Sequence, residues 1–555
     1  MESLTLKQGC YLLGSLWLLR LFGRRLLAVK RTLQDLRTCP GRGLLLVYPF
    51  GGPSLALDRW FPLRWRFHDY HSGFSLFAHY RSTVVSSLVV WDGQPFYWLS
   101  DADAIKIVCT SKSIFQKDLD VYEGFLNFYG TNIISTEGGE WKSHRAVARP
   151  AFNDANNVYV WEETRRIVDN WTNELNEAAS EEIAVDLLKD FTKITMLVIA
   201  SAGFGHRTSW DNFHEKQTSG RMPFLTALSA SAHLLIPKSI TPEWLIDLAY
   251  MTPLPILGPK LRRIRQSFND IKEHMMEVVS HARMDTGVAQ DAALLRNLVA
   301  SNVADEKLGT KRLTDGELLS NTFVFLVAGH ETTSHTLSFM VALLALHPAV
   351  QRKVYEEVQS LCDDPSAILV YTTAVFYETL RIFTVAPRLG RVVLADTTLV
   401  ARRFKTTLDG NVSEVEEYPV HIKQRSKIIM DISAVHMNRT LILLPGSFIG
   451  DKILAIHWGM DVHEFRPERF IDTPSYRWPR EAFLAFSTGP RSCIGQRFST
   501  TESLCLVSTL VRKYEICVPL DLRSKSLAHQ RSIVDWKTWL TMTPSNARVS
   551  LRRRN

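Results

Sequence analysis

The sequence contains few cysteines, and none of them occurs in a pair with metal-site spacing. Seven cysteines are scattered over 555 residues, and no CxxC pair is present. Structural zinc sites need clustered cysteines and histidines, and disulfide frameworks need cysteines in pairs. The sequence therefore predicts neither kind of site, and it predicts a main body that resides in a reducing compartment.

Long basic runs are also missing. The chain has 65 basic and 57 acidic residues, and its densest basic runs are the short segments Arg262–Arg265 and Arg552–Arg554. This distribution is typical of solvated faces or of contact with an anionic membrane surface. A nucleic-acid groove, in which basic residues alternate with aromatic ones, is not expected.

The apolar stretch near the N-terminus is short. Gln8–Leu19 carries no charge, whereas a helix that spans a membrane needs about 20 apolar residues. Arg20, Arg24 and Arg25 interrupt the apolar residues that follow, without the small-residue cleavage site of a signal peptide. We therefore expect a short anchor or an interfacial helix, with the main body on the cytosolic side of the membrane. A helix that packs at the edge of the domain is the alternative.

Helical periodicity dominates the rest of the chain, which neither repeats nor a low-complexity linker divide. Leu313–His347 is predicted to form one long, largely apolar helix with Thr314 as its N-cap. The alternating segments TLVARRFKTTL and KIIMDIS predict small sheets. The expected fold is mainly α with small β-sheets (α+β). The predicted division is an anchor or interfacial helix at residues 1–30, a linker at 31–59 and one catalytic domain at 60–555.

A single cysteine lies in the segment FSTGPRSCIGQRF, between Phe486 and Phe498. Its glycines and proline disfavour a regular helix, but the residues after Cys493 have helical periodicity. Cys493 is therefore expected at a helix N-terminus, where free N–H groups stabilise a thiolate. A thiolate is a nucleophile or a metal ligand, and the segment offers no histidine or acid to serve a nucleophile as base. A lone buried cysteine is the alternative.

The pattern F-x-x-G-x-R-x-C-x-G resembles the haem-binding loop of the cytochrome P-450 superfamily. It is matched by Phe486, Gly489, Arg491, Cys493 and Gly495. The resemblance implies a helix-rich P-450 fold around a buried haem b (iron protoporphyrin IX). It also implies that Cys493 is the axial thiolate ligand of the haem iron. Phe486 would pack beside this ligand, and Arg491 would pair with a haem propionate.

A second pattern, AGHETTSHT (Ala328–Thr336), lies within the long predicted helix. Its residues match the family pattern A/G-G-x-D/E-T-T/S. The resemblance implies that Gly329 leaves room for a ligand, and that Glu331 and Thr332 deliver protons to bound dioxygen. A buried polar network that bends the helix, with Thr332 bonded to a backbone carbonyl, is the alternative. The histidines of this segment are expected to be packed or solvated rather than to bind a metal.

Two charged patterns complete the resemblance. YETLRIF places Glu378 and Arg381 on one helix face, and PERF follows with Arg469. In the family, these three charges lock together and support the haem loop. EWKSHR places Trp141 and Arg145 one turn apart. The resemblance implies that both donate to a haem propionate, and an exposed aromatic–cation pair is the alternative.

The apolar segment Leu441–Ile456 departs from the family pattern. It is interpreted as a loop of its own, as a segment that touches the membrane, or as an intron retained in the gene model. The third interpretation is favoured, because joining Thr440 to His457 restores a sequence typical of the family. A spliced transcript that still encodes the segment would reject it.

The resemblance is greatest to membrane-bound fungal members. It implies a monooxygenase that inserts one oxygen atom of O2 into an apolar small molecule, at the endoplasmic reticulum membrane with the catalytic domain facing the cytosol. Electrons are expected from NADPH through a separate NADPH-cytochrome reductase, because the sequence has no dinucleotide fingerprint. Fungal secondary metabolism, with terpenoids as one substrate class, is the expected setting. A haem-thiolate isomerase or dehydratase, and a haem-binding protein inactivated by residues 441–456, are the alternatives.

Overall fold

Helices form most of the protein in its computed structural model. The structure describes residues 2–46, 48–49, 73–177, 180–207, 210, 220–251, 257–284, 293–303, 313–361, 368–406, 412–438, 448–449, 452–454, 458–459, 461–538 and 541–554. The helices of the first half are α1 (Glu2–Asp35), α2 (Ser75–Tyr80), α3 (Ala102–Thr110), α4 (Leu119–Leu126), α5 (Gly138–Ala148), α6 (Asp154–Asn176), α7 (Leu187–Val198), α8 (Phe224–His233), α9 (Leu235–Ile240), α10 (Glu243–Met251) and α11 (Gly258–Met284). Those of the second half are α12 (Ala293–Val303), α13 (Asp315–Leu346), α14 (Pro348–Leu361), α15 (Val370–Ile382), α16 (Ile432–His436), α17 (Gln496–Lys513), α18 (Leu520–Arg523) and α19 (Leu527–Gln530).

The strands are short and form small sheets. They are β1 (Gly43–Leu45), β2 (Val84–Val89), β3 (Pro95–Leu99), β4 (Phe115–Lys117), β5 (Glu182–Asp186), β6 (Arg388–Val393), β7 (Thr397–Thr406), β8 (Val412–Ile422), β9 (Lys427–Asp431), β10 (Phe448–Ile449), β11 (Lys452–Leu454), β12 (Tyr476–Arg477), β13 (Tyr514–Cys517), β14 (Trp536–Thr538), β15 (Met542–Pro544) and β16 (Arg548–Arg553). A six-stranded sheet has the order β1-β2-β3-β9-β6-β4, and β7 pairs with β8. The predicted α+β class is confirmed, as are the strands predicted around β7 and β9.

The long helix α13 runs through the main hydrophobic core. Nearly all of its side chains between Leu318 and Ala345 are buried. Thr314 caps its start as predicted: its hydroxyl accepts the Glu317 N–H at 3.2 Å, and the Glu317 carboxylate accepts the Thr314 N–H at 2.8 Å. This reciprocal pair satisfies two N–H groups that the first turn cannot bond. The structure therefore holds the segment that contains Glu331 in a fixed register.

The N-terminal region forms one helix and then joins the large sheet. Helix α1 exposes apolar side chains along its length: Tyr11, Leu12, Leu13, Leu16, Trp17, Leu18, Leu19, Phe22, Leu26 and Leu27. Strand β1 pairs in parallel with β2, so this part of the predicted linker packs into the main body. The domain boundaries at residues 30 and 59 stay predictions. Among the described helices, none alone is long and apolar enough to cross a membrane, and one pair bent by 110°, Asp315–Leu346 with Pro348–Ser360, reaches that length and composition together.

Most of the apolar segment Leu441–Ile456 lies outside the described residues, as do Thr440 and His457. Within it, the backbone forms the two short strands β10 and β11, which pair antiparallel. Strand β11 also pairs in parallel with β12. The three interpretations of this segment stay predictions.

Replacing Thr314 with alanine tests the cap of α13. The variant leaves an N–H group of the first turn without its acceptor, so the free energy of unfolding should fall by about 1 kcal/mol. Urea unfolding measures this change, and Thr314→Ser, which keeps the hydroxyl, is the control expected to match the wild type. Equal stability of Thr314→Ala and Thr314→Ser would show that the cap contributes nothing.

Candidate functional site

The cysteine segment forms a tight loop in front of α17. The Cys493 N–H donates to the Phe486 carbonyl at 2.9 Å, and the Ser492 N–H donates to the Gly489 carbonyl at 3.0 Å. Gly489 has a φ of +71°, and a Cβ there would lie 3.0 Å from the Cys109 carbonyl oxygen, so this position requires glycine. Helix α17 begins at Gln496 with Gly495 as its N-cap. The predicted helix start at Ile494 was therefore two residues early, and Cys493 lies just before the helix N-terminus.

The Cys493 thiol combines enclosure with two groups that favour its anion. Burial raises the pKa of Cys493, whereas the Gly495 N–H, which donates to the sulfur, and the charge of Arg145 act in the opposite direction. The thiol is nevertheless accessible to solvent on one side. A metal ion on that side would deprotonate the thiol outright. The donor chemistry of this position therefore fits an axial thiolate ligand.

Positive charge is concentrated around Trp141. The Arg491 guanidinium lies 4.3 Å from the centre of the Trp141 ring, Lys112 Nζ lies 4.2 Å from it, and Arg145 lies 5.8 Å from it. The indole itself is buried, which is incompatible with the exposed aromatic–cation pair. Arg145 Nη1 donates to the Ser492 carbonyl at 3.2 Å. Helix α5 thus brings Trp141 and Arg145 to the cysteine loop, and their hydrogen bonds to a haem propionate stay a prediction.

Two further basic residues, Lys117 and Arg391, which sequence reasoning missed, lie near this cluster. Burial and the charges of Arg491 and Arg391 hold the pKa of Lys117 well below its usual range. Glu137 pairs with Arg491 at 2.8 Å. Arg491 Nε is buried without a hydrogen-bond partner.

An excess of enclosed positive charge and an orphaned guanidinium nitrogen are the features that a pair of carboxylates would neutralise. The two propionates of a haem are such a pair. The residues of this cluster therefore fit the haem that the resemblance implies. Lys117 and Arg391 lie far from the motifs in sequence, so no local pattern could reveal them.

The segment of α13 that contains the acid is in contact with the cysteine helix. The Thr333 hydroxyl donates to the Ser499 hydroxyl of α17 at 3.1 Å. Thr332 bonds back to the Ala328 carbonyl at 2.9 Å, as the alternative interpretation predicts. A Cβ at Gly329 would lie 3.2 Å from the Ile199 side chain, so glycine leaves room for the helical turn that contains Ile199. This contact is a second reason for glycine at this position, and the room that Gly329 leaves for a ligand stays a prediction.

Glu331 is an acid in an apolar setting. Burial raises its pKa to about 7, opposed only weakly by the Thr541 hydroxyl, which lies 3.5 Å from one carboxyl oxygen. His330 and His335 are both buried, and burial lowers their pKa values to about 4 and about 3. No cluster of metal-ligating side chains occurs among the described residues. The prediction that these histidines are packed is therefore confirmed.

The three charges of the E-x-x-R and PERF patterns meet in the core. Glu378 accepts two bonds from Arg381, at 2.6 and 2.9 Å, and Arg469 Nε lies 3.4 Å from Glu378 Oε1. All three side chains are buried. Arg381 also donates to the His436 carbonyl at 3.0 Å.

His436 connects this charge cluster to the haem loop. Its Nε2 accepts the Leu484 N–H at 2.9 Å, two residues before Phe486. Its Nδ1 lies 2.8 Å from the Thr384 hydroxyl. The structure thus brings Glu378, Arg381 and Arg469 together as predicted and adds His436, which no sequence pattern indicates.

The charge cluster predicts a large effect for Glu378→Ala. Removing the carboxylate leaves Arg381 buried without its partner, which should lower the free energy of unfolding by roughly 3–5 kcal/mol. The variant should also fail to hold haem, so its Soret band should be absent. Urea unfolding and absorption spectra measure both effects.

Lys353→Ala is the control, because it breaks an exposed ion pair with Glu468 at 2.7 Å. Exposed pairs contribute about 0–1 kcal/mol, so this variant should keep both its stability and its Soret band. A normal Soret band in Glu378→Ala would contradict the role assigned to the cluster.

Comparisons with known proteins agree with this geometry. The family model described as cytochrome P450 matches residues 59–406 and 457–535. The second match begins directly after the segment Leu441–Ile456. The chain is 31% identical over 489 residues to cytochrome P450 monooxygenase 124 of Postia placenta, covering 86% of this chain and 87% of that protein.

Two more distant relatives carry similar names. Cytochrome P450 monooxygenase 205 of Postia placenta is 26% identical over 474 residues, which cover 79% of this chain and 82% of the relative. Cytochrome P450 monooxygenase ORF6 of Penicillium roqueforti is 23% identical over 444 residues, which cover 76% of this chain and 73% of the relative. With the cysteine loop and the charge cluster in place, these matches show that the chain belongs to the cytochrome P450 family.

Proposed function

We propose that the protein is a haem-thiolate monooxygenase that inserts one oxygen atom of O2 into an apolar small molecule. The observation that carries this proposal is the hydrogen bond between Thr333 and Ser499. It joins the turn of α13 that contains Glu331 and Thr332 to the helix that follows Cys493. An acid and a hydroxyl are thereby fixed on the element that faces the thiolate segment, which is the arrangement that proton delivery to bound dioxygen needs.

Each residue of the site has its own proposed role. A haem b ligated by a thiolate supplies dioxygen activation when it is bound. Cys493 would ligate the iron, while Arg491, Arg145 and Lys117 would hold the propionates. Thr332 presents a hydroxyl beside the acid. Glu331 holds a proton that it can release near neutral pH, because burial raises its pKa to about 7.

The apolar substrate class is supported by the surface of α13 next to the acid. Ala328 lies one turn before Thr332 and is accessible, so it presents a methyl group beside the proposed proton donors. A role in fungal secondary metabolism, with terpenoids as one candidate class, is supported by the fungal origin of the relatives.

The proposed partners are a separate NADPH-cytochrome reductase and a membrane surface. The exposed apolar side chains of α1, with Arg20, Arg24 and Arg25 among them, support attachment to a membrane. Trp244 and Met251 of α10 are also exposed and offer a second point of contact. This arrangement supports the endoplasmic reticulum membrane as the location, with the catalytic domain in the cytosol.

Cys493→Ser tests the proposed thiolate ligand. The dithionite-reduced wild type should show the carbon monoxide band of thiolate-ligated haem, and the variant should lose it because an alcohol is a far weaker ligand. Cys517→Ser is the control, since this half-buried thiol lies on β13, outside the site. A wild-type band in Cys493→Ser would exclude Cys493 as the ligand.

Glu331→Gln tests the proton donor. With NADPH, reductase and a substrate found by screening apolar compounds for a haem spin-state shift, the variant should turn over roughly 100-fold more slowly. The wild-type rate should fall as pH rises through about 7, where Glu331 loses its proton. The variant should lack this decline.

Two outcomes of this experiment would contradict the proposed function. Product formed without NADPH and reductase would indicate an isomerase or dehydratase. A thiolate band without any product from compounds that shift the spin state would indicate a haem-binding protein without this activity.

A further inference from the structure

The Glu331 side chain contacts the C-terminal hairpin of strands β14 and β15. The Thr541 hydroxyl, directly before β15, lies 3.5 Å from Glu331 Oε1 and 3.0 Å from His335 Nδ1. Glu331 and His335 are one turn apart on α13, so a single hydroxyl lies between an acid and an imidazole. Thr541 and His335 are both buried.

The backbone fixes the position of this hydroxyl. The Met542 N–H donates to the Val385 carbonyl at 2.9 Å, next to Thr541 in the chain. On the other strand of the hairpin, Trp536 pairs with Pro544 and Thr538 with Met542. The hairpin therefore holds Thr541 against α13, and its hydroxyl has two polar neighbours that it can bridge.

We propose that His335 and Thr541 are positioning residues that form a relay supplying protons to Glu331, an inference that rests on the proposed monooxygenase function. In the relay, a protonated His335 gives its Nδ1 proton to the Thr541 oxygen. Thr541 at the same time gives its own hydroxyl proton to the Glu331 carboxylate. The step ends with a neutral imidazole, an intact hydroxyl and a neutral carboxylic acid.

The buried setting favours a neutral imidazole beside a neutral carboxylic acid. Burial lowers the pKa of His335 to about 3 and raises the pKa of Glu331 to about 7. A proton on the imidazole therefore moves to the carboxylate and leaves neither group charged in an apolar setting. The titratable groups that face His335 are His330 on its own helix and His233 on α8, and their charges lower its pKa further.

A cavity lies one side chain away from Ser334, the neighbour of His335 in α13. It measures about 560 Å³ and is bounded by residues of α6, α7 and α8, with His233, Asp190 and Thr192 among its lining. The Thr192 hydroxyl donates to the Ser334 hydroxyl at 3.5 Å, and Ser334 is the neighbour of His335 in α13. Polar groups in a cavity of this size can hold ordered water. Water in this cavity would therefore be separated from Ser334, the residue before His335, by the Thr192 side chain.

The test compares Thr541→Val with Thr541→Ser in the haem-loaded protein. With reductase, NADPH and the substrate from the spin-state screen, the valine variant should form roughly tenfold less product per NADPH and release more hydrogen peroxide. The serine variant, which keeps the hydroxyl, should match the wild type. Thr543→Val is the matched control on the same hairpin and should match the wild type. The Thr543 hydroxyl donates to the backbone carbonyl of Thr541 and not to a member of the relay. His335→Gln should behave like Thr541→Val.

A second readout needs no substrate. The infrared band of the protonated Glu331 carboxyl, identified by its loss in Glu331→Gln, should exchange in D2O more slowly in Thr541→Val than in the wild type. Equal exchange, or equal product per NADPH in Thr541→Val and the wild type, would overturn the relay. A wild type that lacks the thiolate band or forms no product would instead contradict the proposed function.

Discussion

The sulfur of Cys493 lies where burial favours its neutral form, whereas binding a metal ion requires its anion. Enclosure raises the pKa of Cys493, and only the Gly495 N–H and the charge of Arg145 act against it. The loop geometry follows from this requirement. The Cys493 N–H is fixed by the Phe486 carbonyl, and the tight turn at Gly489 needs a glycine against Cys109. A metal ion on the accessible side of the thiol would remove the remaining free-energy cost of forming the anion, because a metal-bound thiol loses its proton.

Two other groups of charges have different relations to the cysteine loop. Arg491 and Arg145 lie beside Trp141 and carry more positive charge than Glu137 can neutralise, which fits a doubly anionic ligand. The pair of Glu378 and Arg381 is already balanced and acts as support. Through His436, it reaches the backbone at Leu484, just before the cysteine loop. The cluster with excess positive charge would bind an anionic ligand, whereas the cluster whose charges cancel supports the backbone next to the cysteine loop.

Short patterns with fixed spacing could be predicted from the sequence, because their residues lie on one turn or one loop. The cysteine loop and the pairing of Glu378 with Arg381 are of this kind. Lys117, Arg391 and Thr541 could not be predicted, since each arrives from a distant segment and acts through tertiary contact. The packing of Gly329 against Ile199 could not be predicted either, because no local sequence pattern indicates which helical turn lies beside it. The helix after Cys493 begins at Gln496, because Gly495 is its N-cap residue.

The central claim is that iron in this protein is bound through the sulfur of Cys493. X-ray absorption at the iron edge of the purified, haem-loaded protein measures the atoms bound to iron without any substrate or reductase. One sulfur neighbour beside the haem nitrogens is the predicted result, and it should vanish when Cys493 is replaced. A coordination shell of nitrogen and oxygen alone would contradict the claim.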